Sequence, residues 1–69
     1  MQNWCAIVGK NVRRLRVQKG MTQEELAFEA RIDLTYIGGI ERGRRNPSLM
    51  VMARIASALS VPLAKLLTD

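Results

Sequence analysis

The sequence predicts an all-α domain of 69 residues. Three observations point there. Apolar residues recur at spacings of three and four in successive segments, and no stretch alternates apolar and polar as a half-buried strand would. Each segment opens near a residue whose side chain can satisfy the free amides of a first helical turn. Between positions 22 and 43, two segments are so short, with a corner of only Arg31-Ile32, that neither holds its shape unless it packs on the other. The length predicts one domain over 1–69. A chain of this size buries only about 60% of its unfolded surface, so a partner subunit would help to stabilise it.

In chain order, Met1 to Asn3 read as a loose start with Asn3 a candidate cap. Helix one is expected from Trp4 to Lys19, with Cys5, Val8, Val12 and Leu15 on one apolar face and the basic residues mostly on the others. Gly9 lowers helix propensity, so a neighbouring helix is expected to pass close there. Gly20 ends this helix. Thr22 caps the next, and Glu25 three residues on completes a capping box. Leu26, Ala27 and Ala30 form its inner face. Asp33 is the expected cap of the third helix, whose Ile37 and Ile40 face inward. Packing through Leu26, Ala27, Ile37 and Ile40 leaves Leu34, Thr35, Tyr36, Gly38 and Gly39 pointing outward. A helix-turn-helix presents its second helix to a DNA major groove in this way.

Gly43 ends the third helix and a basic turn follows. Asn46-Pro47 disfavours helix at Asn46, and of the two cap candidates Asn46 and Ser48 the second is preferred. Helix four is expected from Ser48 to Leu59, with Leu49, Met52, Ile55, Ala56 and Leu59 inward. Met50 and Val51 lie off that face and are apolar where a solvated helix favours charge. Ser60 is the expected cap of a fifth helix, from Val61 to about Leu67, with Pro62 in its first turn. Leu66 points to the core, and Leu63 and Leu67 either cover it or lie outside.

The chain carries 11 Lys and Arg against 6 Asp and Glu, a net charge of +5. The placement matters more than the total. Lys10, Arg13, Arg14, Arg16 and Lys19 form a block with no acid in it, and Arg42, Arg44, Arg45 and Arg54 form another. Five of the six acids fall between Glu24 and Glu41. Such a basic surface attracts polyanions, nucleic acid above all. The single Cys5 excludes an internal disulfide and suits a reducing, cytoplasmic setting. It reads as a buried helix-one residue rather than a redox sensor. Trp4 reads as a core or interface lid. No run of about 18 apolar residues predicts a membrane span. With no His, no metal-ligand cluster, no paired thiol and no phosphate-cradling loop followed by Lys-Ser/Thr, no catalytic or metal site and no cofactor are expected. Glu24, Glu25 and Glu29 read most simply as solvated charges.

The sequence resembles the lambda-repressor-like family of five-helix DNA-binding domains with a helix-turn-helix (Cro/cI or XRE type). The resemblance rests on Gly9-Lys10-Asn11-Val12-Arg13-Arg14-Leu15-Arg16 and Lys19-Gly20-Met21-Thr22-Gln23-Glu24-Glu25-Leu26-Ala27. It continues through Tyr36-Ile37, Ile40-Glu41-Arg42-Gly43 and Arg45-Asn46-Pro47-Ser48-Leu49, and closes with Ile55-Ala56, Ala58-Leu59 and Val61-Pro62-Leu63. Within the family, Asp33 to Leu49 looks most like the controller proteins of restriction–modification systems.

The resemblance implies a homodimeric transcriptional regulator, without a cofactor, that binds double-stranded operator DNA. It implies DNA-facing positions at Thr22, Gln23, Asp33, Leu34, Thr35, Tyr36 and Gly39, and a backbone-gripping loop of Arg42, Arg44, Arg45, Asn46 and Ser48. Gln23 would bond a phosphate where the helix amides and dipole favour an anion. Leu34, Thr35, Tyr36 and Gly39 match base-reading positions. Arg16 and Glu41 match a salt bridge between helices one and three. Autoregulation of a restriction–modification operon follows as an expectation, as does contact with RNA polymerase through acids such as Glu24 or Glu29. Met50, Val51, Leu63 and Leu67 are the expected dimer interface. The rival expectation is a protein-interaction module, such as an antitoxin-like subunit, that binds its partner through those apolar residues.

Three departures from the pattern stand out. Leu34 replaces the long polar or basic residue of related controllers and reads only thymine methyls. Gly38 and Gly39 each cost roughly 1 kcal/mol of helix propensity relative to Ala. They imply either close backbone approach to DNA or a weakened helix end. Arg31 stands where the family prefers Gly, so it is strained if that position needs a positive φ; a slightly different turn is the alternative.

Overall fold

Three of the four α-helices begin at a side-chain oxygen that receives a first-turn amide, and all four end where the backbone turns left-handed. The computed structural model describes residues 2–69. It contains four α-helices, α1 (Trp4–Gln18), α2 (Gln23–Ala30), α3 (Leu34–Glu41) and α4 (Leu49–Ala58), and a closing 3-10 helix, Leu63–Leu67. The described residues contain no strand. Asn3 caps α1 through its side-chain oxygen, which accepts from the Ala6 N–H at 3.1 Å. Thr22 Oγ1 accepts from the Glu25 N–H at 3.0 Å, and Glu25 Oε1 accepts from the Thr22 N–H at 2.8 Å. Ser48 caps α4 through the Val51 N–H at 3.1 Å. Asp33 occupies the cap position of α3, but its side chain makes no capping hydrogen bond. The expectation of a side-chain cap there is corrected: position alone does not aim the carboxylate.

All four helices close in the same way. A residue with positive φ follows each, at Gly20 (74°), Arg31 (59°), Gly43 (73°) and Ser60 (57°). The next amide then reaches back to a carbonyl five residues earlier: Met21 to Arg16, Ile32 to Ala27, Arg44 to Gly39 and Val61 to Ala56, all at 2.9 to 3.1 Å. Arg31 therefore takes the left-handed conformation that its neighbourhood demands and carries the strain that an L side chain meets there. The turn is the one glycine would favour, not a different one.

The core is aliphatic. Val8, Val12 and Leu15 from α1 meet Leu26, Ala27 and Ala30 from α2, Ile37 and Ile40 from α3, Ile55 and Ala56 from α4, together with Leu59 and Leu66. Helix α1 packs on α3 and on the closing helix, and α2 packs on α3 and α4. Gly9 is the closest approach between α1 and α3: a Cβ there would collide with the Ile40 carbonyl oxygen and lie 3.0 Å from that of Glu41. The buried Asn11 ties α1 to the end of the chain, its amide donating to the Leu66 and Thr68 carbonyls at 2.9 and 2.7 Å.

Several expectations are corrected. The fifth element is a 3-10 helix of five residues rather than an α-helix. Leu63 and Leu66 stand three apart and eclipse at three residues per turn, so both turn toward the core. Leu66 is fully buried and Leu63 partly so. Ser60 does not cap this element; it sits in the left-handed turn, and its Oγ accepts from Lys19 Nζ at 3.3 Å. Leu49 is 62% exposed, because as the first residue of α4 it precedes the part of the helix that meets the core. Cys5 is half-buried and Trp4 half-exposed, so Trp4 is not a core residue. Gly38 and Gly39 are buried, not outward.

Candidate nucleic-acid interface

The exposed part of α3 is its first turn. Leu34 is 42% exposed and Thr35 is exposed, while Tyr36 is half-buried against the core. Helical geometry puts Thr35 opposite Ile37 and Ile40, with Leu34 and Tyr36 at the flanks of that inner face. Position 33 adds an exposed carboxylate beside them.

The start of α2 is fastened to the end of α3. Arg16 donates to Glu41 in a bidentate pair, Nε to Oε2 at 2.7 Å and Nη2 to Oε1 at 3.0 Å, and Nη1 donates to the Met21 carbonyl at 2.8 Å. The Glu41 side chain is only 2% exposed. The hydrogen bond to Glu41 holds the Arg16 guanidinium above its ordinary pKa, against the opposing effect of burial. Gln23 Nε2 also donates to Glu41 Oε1, at 3.0 Å. The expected ion pair between α1 and α3 is present, and it has a third member at the first residue of α2. An amide nitrogen has two donors, so Gln23 keeps one N–H and its carbonyl oxygen for another partner.

After α3 the chain folds back over it. The Arg42 N–H closes on the Gly38 carbonyl at 3.1 Å and the Arg44 N–H on the Gly39 carbonyl at 2.9 Å. Arg42, Arg44, Arg45, Asn46 and Ser48 are exposed, while Pro47 is buried and anchors the segment. Arg45, though exposed, lies back against α3. Its guanidinium carbon stands 5.3 Å from the centre of the Tyr36 ring, within cation–π range. A Cβ on Gly39 would come within 2.7 Å of Arg45 Cγ, and one on Gly38 within 3.1 Å of Arg42 Nη1. The two glycines are buried because arginine side chains cover them.

Thr22, Gln23, Asp33, Leu34, Thr35, Tyr36, Arg42, Arg44, Arg45, Asn46 and Ser48 thus belong to three adjoining pieces: the start of α2, the first turn of α3 and the 42–48 loop. Gly39 differs from the rest, lying beneath the surface as the floor for Arg45. Sequence reasoning missed that floor, and Asn11 with it. A polar residue on α1's buried face, between Val8 and Val12, was the available signal for Asn11; no local signal announced a contact between positions 39 and 45.

The expected subunit-contact residues divide. Met50 is 68% and Leu67 39% exposed, whereas Val51 and Leu63 are half-buried against the chain's own core. Trp4 and Leu67 line one shallow cleft with Pro47 and Met52. No helix among the described residues is long and apolar enough to cross a membrane.

Comparison with known proteins agrees with this geometry. A helix-turn-helix family model matches residues 12–66. The chain is 42% identical over 62 residues to the HTH-type transcriptional regulator y4dJ of Sinorhizobium fredii, covering 90% of this chain and 80% of that protein. It is 40% identical to the transcriptional regulator ClgR of Mycobacterium tuberculosis, over 91% of this chain but only 56% of ClgR's length. Among solved structures, the restriction–modification controller protein C.AhdI of Aeromonas hydrophila superimposes with a TM-score of 0.88 at 42% identity, over 90% of this chain and 94% of that one. The chain belongs to the lambda-repressor-like helix-turn-helix family of DNA-binding transcription regulators.

Proposed function

We propose that this chain is a sequence-specific regulator that binds operator DNA as a homodimer, with α3 in the major groove. The observation that carries the reading is the exposed first turn of α3 between two anion-competent pieces. On one side is the α2 terminus, with free amides, a positive dipole end and the tethered Gln23. On the other is the 42–48 loop, with its exposed Arg44 and neighbours. Phosphate contacts from these two flanks would fix the register of α3, and Thr35 would meet a base edge or a thymine methyl. Two such modules on a symmetric site would stand about 34 Å apart. Met50 and Leu67, exposed and apolar, supply the subunit contact, with Trp4 beside Leu67.

The finer identity we infer is that of an autoregulatory controller of a restriction–modification operon, supported by the likeness to C.AhdI over nearly the whole of both chains. Such a regulator works in the cytoplasm and needs no cofactor. RNA polymerase is its natural second partner, through the exposed Glu24 or Glu29.

Two substitutions separate reading from gripping. Thr35→Ala is expected to relax preference at one base pair, by about 1–3 kcal/mol of discrimination. Arg44→Ala is expected to weaken all duplexes alike and to reduce the slope of log affinity against log salt by about 0.9. Competition binding with single-base variants of a bound duplex measures both. If both variants bind like the unaltered chain, α3 is not the reader.

A further inference from the structure

Helix α3 carries little hydrogen-bonding chemistry of its own. Of its eight residues, Leu34, Ile37, Gly38, Gly39 and Ile40 bring no side-chain donor, and Glu41 is committed to Arg16. Thr35 and Tyr36 are left. A helix so poor in donors discriminates few base pairs by hydrogen bonding.

The glycine pair resolves this. Arg45 leaves the loop, passes its Cγ over the Cα of Gly39 and ends with its guanidinium on the Tyr36 ring. It therefore runs back along α3 from the C-terminal part toward the exposed first turn. Any residue larger than glycine at 39 would put its Cβ 2.7 Å from Arg45 Cγ. The blocked atom lies in the middle of the side chain, so the whole of Arg45 would have to move. Gly38 differs: its virtual Cβ meets only the tip of Arg42, 3.1 Å away, and a long side chain yields there by a few tenths of an ångström.

We propose that Gly39 is a notch that seats Arg45 along the reading face of α3, making the Arg45–Tyr36 cation–π pair a base-reading element borrowed from the loop. A guanidinium edge held on an aromatic ring presents two parallel donors, the geometry that matches O6 and N7 of guanine in the major groove. The contact with the ring restrains the guanidinium before DNA arrives, so less freedom is lost on binding. Arg45 thus supplies the polar readout that the helix lacks, rather than one more backbone contact. The glycines are neither a frayed end nor empty surface.

This inference rests on the regulator reading, and the experiment separates the two. The unaltered chain is used to enrich duplexes from a randomised pool. Gly39→Ala, Gly38→Ala, Arg45→Ala and the double variant Gly39→Ala/Arg45→Ala are then titrated against the enriched duplex and all its single-base variants, and their melting curves are recorded. Gly39→Ala and Arg45→Ala are each expected to lose roughly tenfold of preference at one shared guanine-containing pair. The double variant should be no worse than Arg45→Ala, since both remove the same contact. Gly38→Ala should lose much less. The melting temperature of Gly39→Ala should hold or rise, because alanine is the better helix former. A Gly39→Ala chain that discriminates like the unaltered one overturns the notch, and so does an Arg45→Ala chain that loses affinity equally for every sequence. If the unaltered chain enriches no sequence, the regulator reading fails and takes this inference with it.

Discussion

Arg16, Glu41 and Gln23 form the most consequential contact between side chains. Most charges here are exposed, where an ion pair contributes about 0–1 kcal/mol. Glu41 is nearly sealed, and its carboxylate answers two helices at once, accepting from Arg16 and Gln23. Removing the guanidinium by Arg16→Met would leave a buried, half-satisfied carboxylate and is expected to cost about 3 kcal/mol or more. Arg13→Met, on the exposed side of the same helix, should stay within about 0.5 kcal/mol. Urea unfolding of the two variants checks this. The raised pKa of Arg16 fixes the sign of any pH effect. A cation held above its unfolded pKa stabilises the fold at all pH values below that unfolded value, so the contribution of Arg16 persists through neutral pH and is lost only in strong alkali.

Among the elements, capping separates what position predicts from what geometry delivers. Thr22 and Asp33 both stand immediately before a helix, and both are good cap residues. Only Thr22 makes the bond, within a reciprocal capping box. Thr22→Ala is therefore expected to lower stability by about 1 kcal/mol, whereas Asp33→Ala removes only a charge near the helix dipole and should cost a few tenths. Chemical denaturation distinguishes them, and equal losses would contradict the assignment. The same contrast shows how much of the fold was legible in the sequence. The four α-helices, the Thr22 and Ser48 caps and the close approach at Gly9 follow from local spacing and residue type, whereas the strain at Arg31 and the Arg16–Glu41 bridge were legible only through the family resemblance. The 3-10 geometry at Leu63–Leu67 did not, because choosing between three and 3.6 residues per turn depends on where the core lies. The burial of Gly38 and Gly39 was hidden for a related reason. A glycine's exposure is set by whichever side chain crosses it, and Arg45 arrives from beyond the helix.

At the scale of the molecule, a chain with a longest extent of 32 Å presents a short helix turn flanked by cationic and amide-rich ends. One such module makes few contacts, which is why the account requires a second copy. Exposed apolar residues at Trp4, Met50 and Leu67 are the available means. Met50→Lys combined with Leu67→Lys is expected to shift the chain from dimer to monomer in sedimentation velocity. Because neither residue belongs to the buried core, the helical circular dichroism of the monomer should be unchanged. An unaltered chain that sediments as a monomer at every concentration would contradict the interface. Phe28, 82% exposed on α2, has no role in this arrangement.

The central claim is that α3 reads DNA between two phosphate grips. A titration of the protein against the duplex immediately upstream of its own gene, beside a scrambled duplex and at two salt concentrations, tests it most directly. The account predicts tight binding to the first duplex only, with two protomers per site and a log–log salt slope of several units, near −0.9 for each phosphate contacted. Equal, weak binding to both duplexes would contradict it and leave the arginines as no more than a basic surface.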